Sequence, residues 1–267
     1  MAWWGKLIGG AFGFMLGGPL GALLGGALGH SFDRGMGGVE DALDPGERER
    51  VQTAFFTATF SVMGHLAKAD GRVSRDEIAL AEAVMGEMDL SPDLRRTAVR
   101  LFEQGKAADF PLDDVIDQFR RECHRRQTLI RMFLEIQLQA AYADGRLDAA
   151  EDALLQRVCA RLGIPQGVYR RIEQMVRAER HFAGGAGAGR GAPPRRGPTL
   201  EDAYAVLNVS ADASDAEVKR AYRRLMSQHH PDKLVAKGLP EEMMKLATQK
   251  THEIRQAYDR VKAARGL

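Results

Sequence analysis

The residues best placed to do chemistry are His229, His230 and Asp232, with Pro231 between the second histidine and the carboxylate. An imidazole beside an aspartate can act as a general base or ligate a metal. Neither role fits this surrounding. The motif has no cysteine, second histidine pair or nucleophile nearby. Cys123 and Cys159 lack paired-motif spacing and sit in apolar or amphipathic patterns, where buried free thiols are common. The chain is therefore read as a non-enzyme, with no cofactor and no metal.

Two other stretches invite a metal. Ala69-Asp70-Gly71-Arg72-Val73 recurs as Ala143-Asp144-Gly145-Arg146-Leu147, with Glu77 and Glu151 at matched distance. Asp-Gly, an apolar residue and a closing glutamate mimic the back half of a calcium loop. The front half is missing. Leu66 and Lys68 in one copy, and Ala140 and Tyr142 in the other, stand where carboxylates are needed. Both copies are read as tight turns between helices, and the repeat as a duplicated helix pair.

Helical patterning dominates and strand signals are poor, so an all-α protein is expected. A net charge of +2 on 267 residues gives no chain-wide attraction to nucleic acid. Charge must act through local patches. The strongest patch directly precedes the His-Pro-Asp run. Ser214 with Glu217 forms a capping box that opens a helix to Gln228. At about 100° per residue, Val218, Ala221, Tyr222 and Leu225 share one side, and Lys219, Arg220, Arg223 and Arg224 the other. The apolar side needs a partner. Glu241–Ala264 offers a matching stripe in Met244, Ala247, Ile254, Ala257, Tyr258 and Val261. The two helices are expected to run antiparallel, with His230, Pro231 and Asp232 in the loop between them.

Upstream, residues 1–6 form a short tail and residues 7–29 a glycine-rich transmembrane helix. Leu7–Leu28 carries no charge and spans roughly 33 Å as a helix. Trp3, Trp4 and Lys6 precede it, and His30, Asp33 and Arg34 follow, as suits interfacial anchoring. The apolar run is long and the preceding charge slight, so a retained anchor is favoured over a cleaved signal peptide. Gly9, Gly13, Gly17, Gly21 and Gly25 recur every fourth residue. Such a stripe lets two helices approach closely and predicts a homodimer through the membrane segment. Residues 30–46 are a connector and 47–182 a helical domain. Ser91-Pro92, Pro111 and Pro165 open helices there, and Gly163 ends one. Residues 183–198 are a Gly/Pro/Arg linker, whose Arg190, Arg195 and Arg196 are read as solubilising rather than nucleic-acid contacts. Residues 199–267 are the terminal module.

Four stretches of that module together resemble a J-domain: Asp202-Ala203-Tyr204-Ala205-Val206-Leu207, Ala221-Tyr222-Arg223-Arg224-Leu225, His229-His230-Pro231-Asp232-Lys233 and Ile254-Arg255-Gln256-Ala257-Tyr258. The match covers the whole module. It implies a co-chaperone that stimulates ATP hydrolysis by an Hsp70 partner (DnaK). It further implies that His230, Pro231 and Asp232 signal to that partner and that Lys219, Tyr222, Arg223 and Arg224 form the docking face. Thr251 stands where many J-domains place Phe. The central domain is similar to the TerB-like helical domains through its short Asp-Gly turns, which implies a bundle and no chemistry. Because Hsp70 turnover needs ATP, a single pass through a bacterial inner membrane is expected, with the N-terminus periplasmic and the body cytoplasmic. The alternative function is a membrane scaffold or stress-signalling adaptor acting through the central domain. No Gly/Phe stretch or zinc-type cysteine cluster is present to bind unfolded chains.

Overall fold

The computed structural model describes residues 17–28, 47–69, 85–86, 90–142, 145–184, 199–240 and 243–266. Every regular element among them is a helix. The central bundle holds α2 (Glu47–Leu66), α3 (Pro92–Gly105), α4 (Leu112–Glu122), α5 (Gln127–Ala141), α6 (Ala149–Leu162) and α7 (Gln166–Gly184), with α1 (Gly18–Leu28) packed on it. The terminal module holds α8 (Leu200–Val206), α9 (Asp215–Gln228), α10 (Pro231–Ala236) and α11 (Met244–Arg265).

Helix boundaries follow local chemistry. The Ser91 hydroxyl caps α3, with Pro92 at its first position. Asp148 and Glu151 form a reciprocal capping box on α6, which Gly163 ends in the left-handed region. The glutamate after the second Asp-Gly turn is thus a helix cap. The helix that Pro111 opens stops at Glu122, and α5 starts at Gln127. The first Asp-Gly turn with its Glu77, the connector, Asp144 and most of the linker lie outside the described residues.

α2 is the axis of the core. All its residues from Val51 to Gly64 are buried. Phe55, Phe119 and Phe133 join α2, α4 and α5, with ring centroids 6.1 Å and 4.7 Å apart along that chain. Burial pushes the Cys123 and Cys159 thiols up to about 12, so both are inert at neutral pH.

The N-terminal segment departs from the expected long helix. Gly17 and Gly18 have positive φ (55° and 59°), and α1 begins at Gly18. No helix among the described residues is long and apolar enough to cross a membrane. Leu20, Leu24 and Ala27 are fully buried in the core of the bundle. Gly9 and Gly13 lie outside the described residues. Of the remaining stripe, Gly17 precedes the helix, Gly21 is buried and Gly25 half-buried.

The terminal module has a core of its own, built from Ala203, Val206, Leu207, Val218, Leu225, Ile254, Ala257 and Val261, and joined by Ala178 of α7. Its other half is continuous with the bundle: Leu234, Leu239, Met243, Leu246 and Ala247 belong to the same cluster as α2.

Candidate functional site: the His-Pro-Asp corner and its support

α9 starts as its sequence predicts. The Ser214 side chain accepts from the Glu217 backbone N–H, and the Glu217 carboxylate accepts from the Ser214 backbone N–H at 2.8 Å. Val218, Ala221 and Leu225 are buried. Tyr222 is half-buried and stacks on Tyr258 of α11, with centroids 4.1 Å apart and planes at 14°. That stack fixes the spacing of the two helices. Lys219, Arg220, Arg223 and Arg224 are exposed, four cations within six residues. Arg224 also borders the groove between module and bundle, near Arg131 and Arg171.

One expectation for the region after α9 is corrected: His230-Pro231-Asp232 does not sit in an open loop. His230 is the N-cap of α10, Pro231 its first residue, and Asp232 lies in its first turn. Proline is pre-organised for that position, and a carboxylate there meets the positive end of the helix. The His230 and Asp232 side chains remain 49% and 85% exposed, 4.0 Å apart. Lys233 Nζ donates to Ser227 Oγ at 2.7 Å, tying the corner back to α9. The stripe on α11 is also adjusted. Met244 is exposed, while Met243 and Leu246 are buried in its place. Thr251 is half-buried and donates its hydroxyl to the Thr248 carbonyl.

The corner rests on the bundle. Leu234 is fully buried. Lys237 Nζ donates to Thr128 Oγ1 at 2.9 Å, and Gln52 Nε2 donates to the Leu239 carbonyl at 3.4 Å. Beneath it lies a buried charge cluster that sequence reasoning missed. Lys250 of α11 contacts Glu179 of α7 at 2.5 Å and Glu135 of α5 at 3.5 Å. Arg131 Nε donates to Glu135 at 2.8 Å. His229, directly before the motif, places Nδ1 3.8 Å from Glu135. Glu135, Glu179, His229 and Lys250 are all buried. Two cations thus face two carboxylates, and a buried charge without such pairing is strongly disfavoured.

The protonation states follow from this packing. Burial opposes ionisation of Glu135, but Lys250, His229 and Arg131 outweigh it and hold the carboxyl down at about 2. Burial raises Glu179 to about 7 despite Lys250, with Glu253 and Glu135 adding repulsion. Burial pushes His229 down to about 4, against the pull of Glu135. Lys250 is raised, because its two carboxylates overcome its burial. Among the described residues, Glu179 Oε1 and His229 Nε2 have no hydrogen-bond partner to offset the burial that drives both toward neutrality.

These shifts set a pH dependence for docking. His229, ordinarily near 6.5, favours the docked state most above that pH and loses its contribution as pH falls toward 4. Glu179 runs the other way, disfavouring docking increasingly as pH rises from its ordinary 4.5 through 7. The two offset each other. Docking is therefore expected to be nearly flat between pH 7 and 4.5. It should be lost below 4.5, as Glu135 protonates toward its value of about 2. Glu179→Gln removes the offset. In that variant docking should weaken as soon as pH falls below 6.5. Energy transfer between dyes on α5 and α9, followed from pH 8 to 4, reads the difference.

A small helical module whose cationic helix leads into an exposed His-Pro-Asp corner is a J-domain. Comparison with known proteins gives the same class and the order of its neighbours. Family models match residues 202–264 as a DnaJ domain, residues 56–174 as tellurite resistance protein TerB, and residues 1–41 as the co-chaperone DjlA transmembrane domain. Full-length relatives include co-chaperone protein DjlA of Shewanella oneidensis (46% identical over 268 residues), of Escherichia coli strain K12 (45% over 272) and of Coxiella burnetii (44% over 272), each covering 100% of both chains. No solved structure matches the chain significantly. The chain belongs to the DjlA family of co-chaperones and is a membrane protein.

Proposed function

We propose that this chain stimulates ATP hydrolysis by a cytoplasmic Hsp70 of the DnaK type, performing no chemistry itself. One observation carries this reading: the His230 and Asp232 side chains stand exposed at the start of α10, beside the cationic face of α9, while the neighbouring His229 and Leu234 are buried. Lys219, Arg220, Arg223 and Arg224 would steer encounter with an acidic surface and fix its orientation. The rigid corner would then make a contact that differs between the resting and hydrolysing states of the partner, as any activator must. His230→Gln should abolish stimulation of single-turnover ATP hydrolysis by DnaK. Unchanged stimulation would refute the proposal.

The anchor is assigned to the inner membrane, with a single pass, a periplasmic N-terminus and a cytoplasmic body, because only the cytoplasm supplies ATP. A C-terminal phosphatase fusion should be inactive in cells, and an active one would reverse the orientation. A homodimer through the glycine stripe is part of this reading. It requires α1 to leave the bundle, since Gly21 is buried there.

A further inference from the structure

A groove of about 880 Å³ runs along the seam between the terminal module and the bundle. One wall is α7, which offers Val168 and Arg171. The other is α8 with the turn into α9, which offers Ala205 and Val209. Arg224 and Gln228 of α9 complete the lining between them. Both walls are held in place. Asn208 turns the chain after α8 with φ 54°, in the left-handed region that asparagine tolerates. Arg265 Nη2 then donates to the Ala211 carbonyl at 2.9 Å. α7 is tied to α11 through Glu179 and Lys250. The groove is therefore formed before anything enters it, which lowers the ordering cost of binding.

The lining shows what is missing from it. Val168 is 40% exposed, unusually open for a large apolar side chain in this structure. Arg171 and Arg224 are exposed, and neither makes an ion pair among the described residues. Glu201 is the one acidic residue on the lining, and Arg131 already spends its Nε on Glu135. Gln228 Oε1 is buried and, among the described residues, has no donor. A buried acceptor of that kind calls for an N–H. Two open cations, an apolar wall and an unmet acceptor suit an extended polypeptide, which brings a carboxylate, an apolar side chain and its own backbone N–H. A bare anion would leave Val168 and Gln228 unmatched. A purely apolar segment would desolvate both guanidinium groups without pairing them.

We infer that this groove extends the docking surface for the Hsp70 partner onto the bundle, and that it takes an extended acidic and apolar segment of that partner. The choice of occupant follows from continuity. Arg224 belongs both to the groove and to the cationic face of α9. Gln228 is the last residue of α9 and stands two positions before His230. A partner that covers the α9 face and reaches the corner therefore meets the groove along the same helix. The positive charge continues from Arg224 across the seam to Arg171 of α7. The acidic surface that α9 already requires is the surface that would pair with both. The terminal module then delivers the signal, and the bundle helps to hold its recipient. The inference rests on the co-chaperone reading above.

The test titrates the full chain, in lipid nanodiscs, into ATP-loaded DnaK and follows single-turnover hydrolysis. Arg171→Glu should raise the half-saturating concentration about tenfold, through one lost charge-assisted hydrogen bond and the repulsion that replaces it. Arg177→Glu is the control, with the same charge change at an exposed position of the same helix outside the groove. It should shift half-saturation by less than about twofold, because distant surface charge is screened by salt. Equal shifts for the two variants, or none for either, overturn the inference. A second measurement leaves every arginine in place. Val168→Cys is labelled with a benzophenone on the new thiol, Cys123 and Cys159 being buried. Illumination should crosslink it to an acidic stretch of DnaK, mapped by mass spectrometry. No adduct, or adducts only with a second copy of this chain, overturns the inference. If the crosslink forms while the unaltered chain leaves hydrolysis unstimulated, only the co-chaperone reading falls. If stimulation is intact and the crosslink is absent, only the groove assignment falls.

Discussion

Gly105→Ala should destabilise the chain by about 2 kcal/mol, although alanine is the better helix former. A Cβ on Gly105 would lie 1.8 Å from the Ser61 carbonyl oxygen and 3.0 Å from the His65 backbone nitrogen. The reciprocal contact is as close, with a Cβ on Gly64 1.9 Å from the Phe102 carbonyl. Here α2 and α3 cross backbone to backbone, and neither obstacle is a flexible side-chain end. Replacing a helical glycine by alanine gains roughly 1 kcal/mol in propensity. Forcing extra volume into a packed crossing costs about 3 kcal/mol. The second effect wins. The His65–Gly105 hydrogen bond, 3.1 Å at the crossing, would be strained by the same movement. Gly167→Ala is the control, since a Cβ there meets nothing within 4 Å. Urea denaturation should show it neutral or stabilised by about 0.5 kcal/mol. A stable Gly105→Ala protein would mean the crossing is looser than described.

Lys250→Met should cost about 3 kcal/mol at pH 8, the range for removing one partner from a buried ion pair. The substitution keeps most of the side-chain volume, so the loss reports charge rather than packing. Glu135 keeps Arg131 at 2.8 Å, whereas Glu179 loses the cation 2.5 Å away. Glu179, already raised to about 7, should then become neutral in the folded chain. The defect should accordingly shrink at pH 6 and grow at pH 8. Adding Glu179→Gln to Lys250→Met should recover part of the loss, and a double-mutant cycle by thermal unfolding measures the coupling. Equal defects at both pH values would remove Glu179 from the cluster.

Features fixed by neighbours in sequence were legible before the fold was known. Ser214 with Glu217, Ser91 with Pro92, and Gly163 act within a helical turn, and each holds in the structure. The opposed faces of α9 were legible for the same reason. α10 was missed despite its signal, Pro231 at a first helical position after an extended residue. Its six residues are too few to show a period. The charge cluster was out of reach. Lys250 and Glu179 read as ordinary surface charges on amphipathic helices, and they meet across 71 positions. Glu135 gave only a hint, standing with Arg131 and Gln137 in an otherwise apolar stretch from Leu129 to Leu138. α1 was read from hydropathy, which registers an apolar segment equally whether lipid or protein covers it.

Arg265 gives the terminal module a history as well as a shape. Its guanidinium reaches Tyr204 Oη, the Ala213 and Ala211 carbonyls and Asp215, all 50 to 61 positions back. The ties from module to bundle span up to 187 positions. Closing the longer loops costs more entropy, and domains emerging from the ribosome fold in turn. The terminal helices should therefore assemble among themselves and settle onto an already finished neighbour. Under a mechanical pull that seam should yield first, releasing an intact signalling head on its tether.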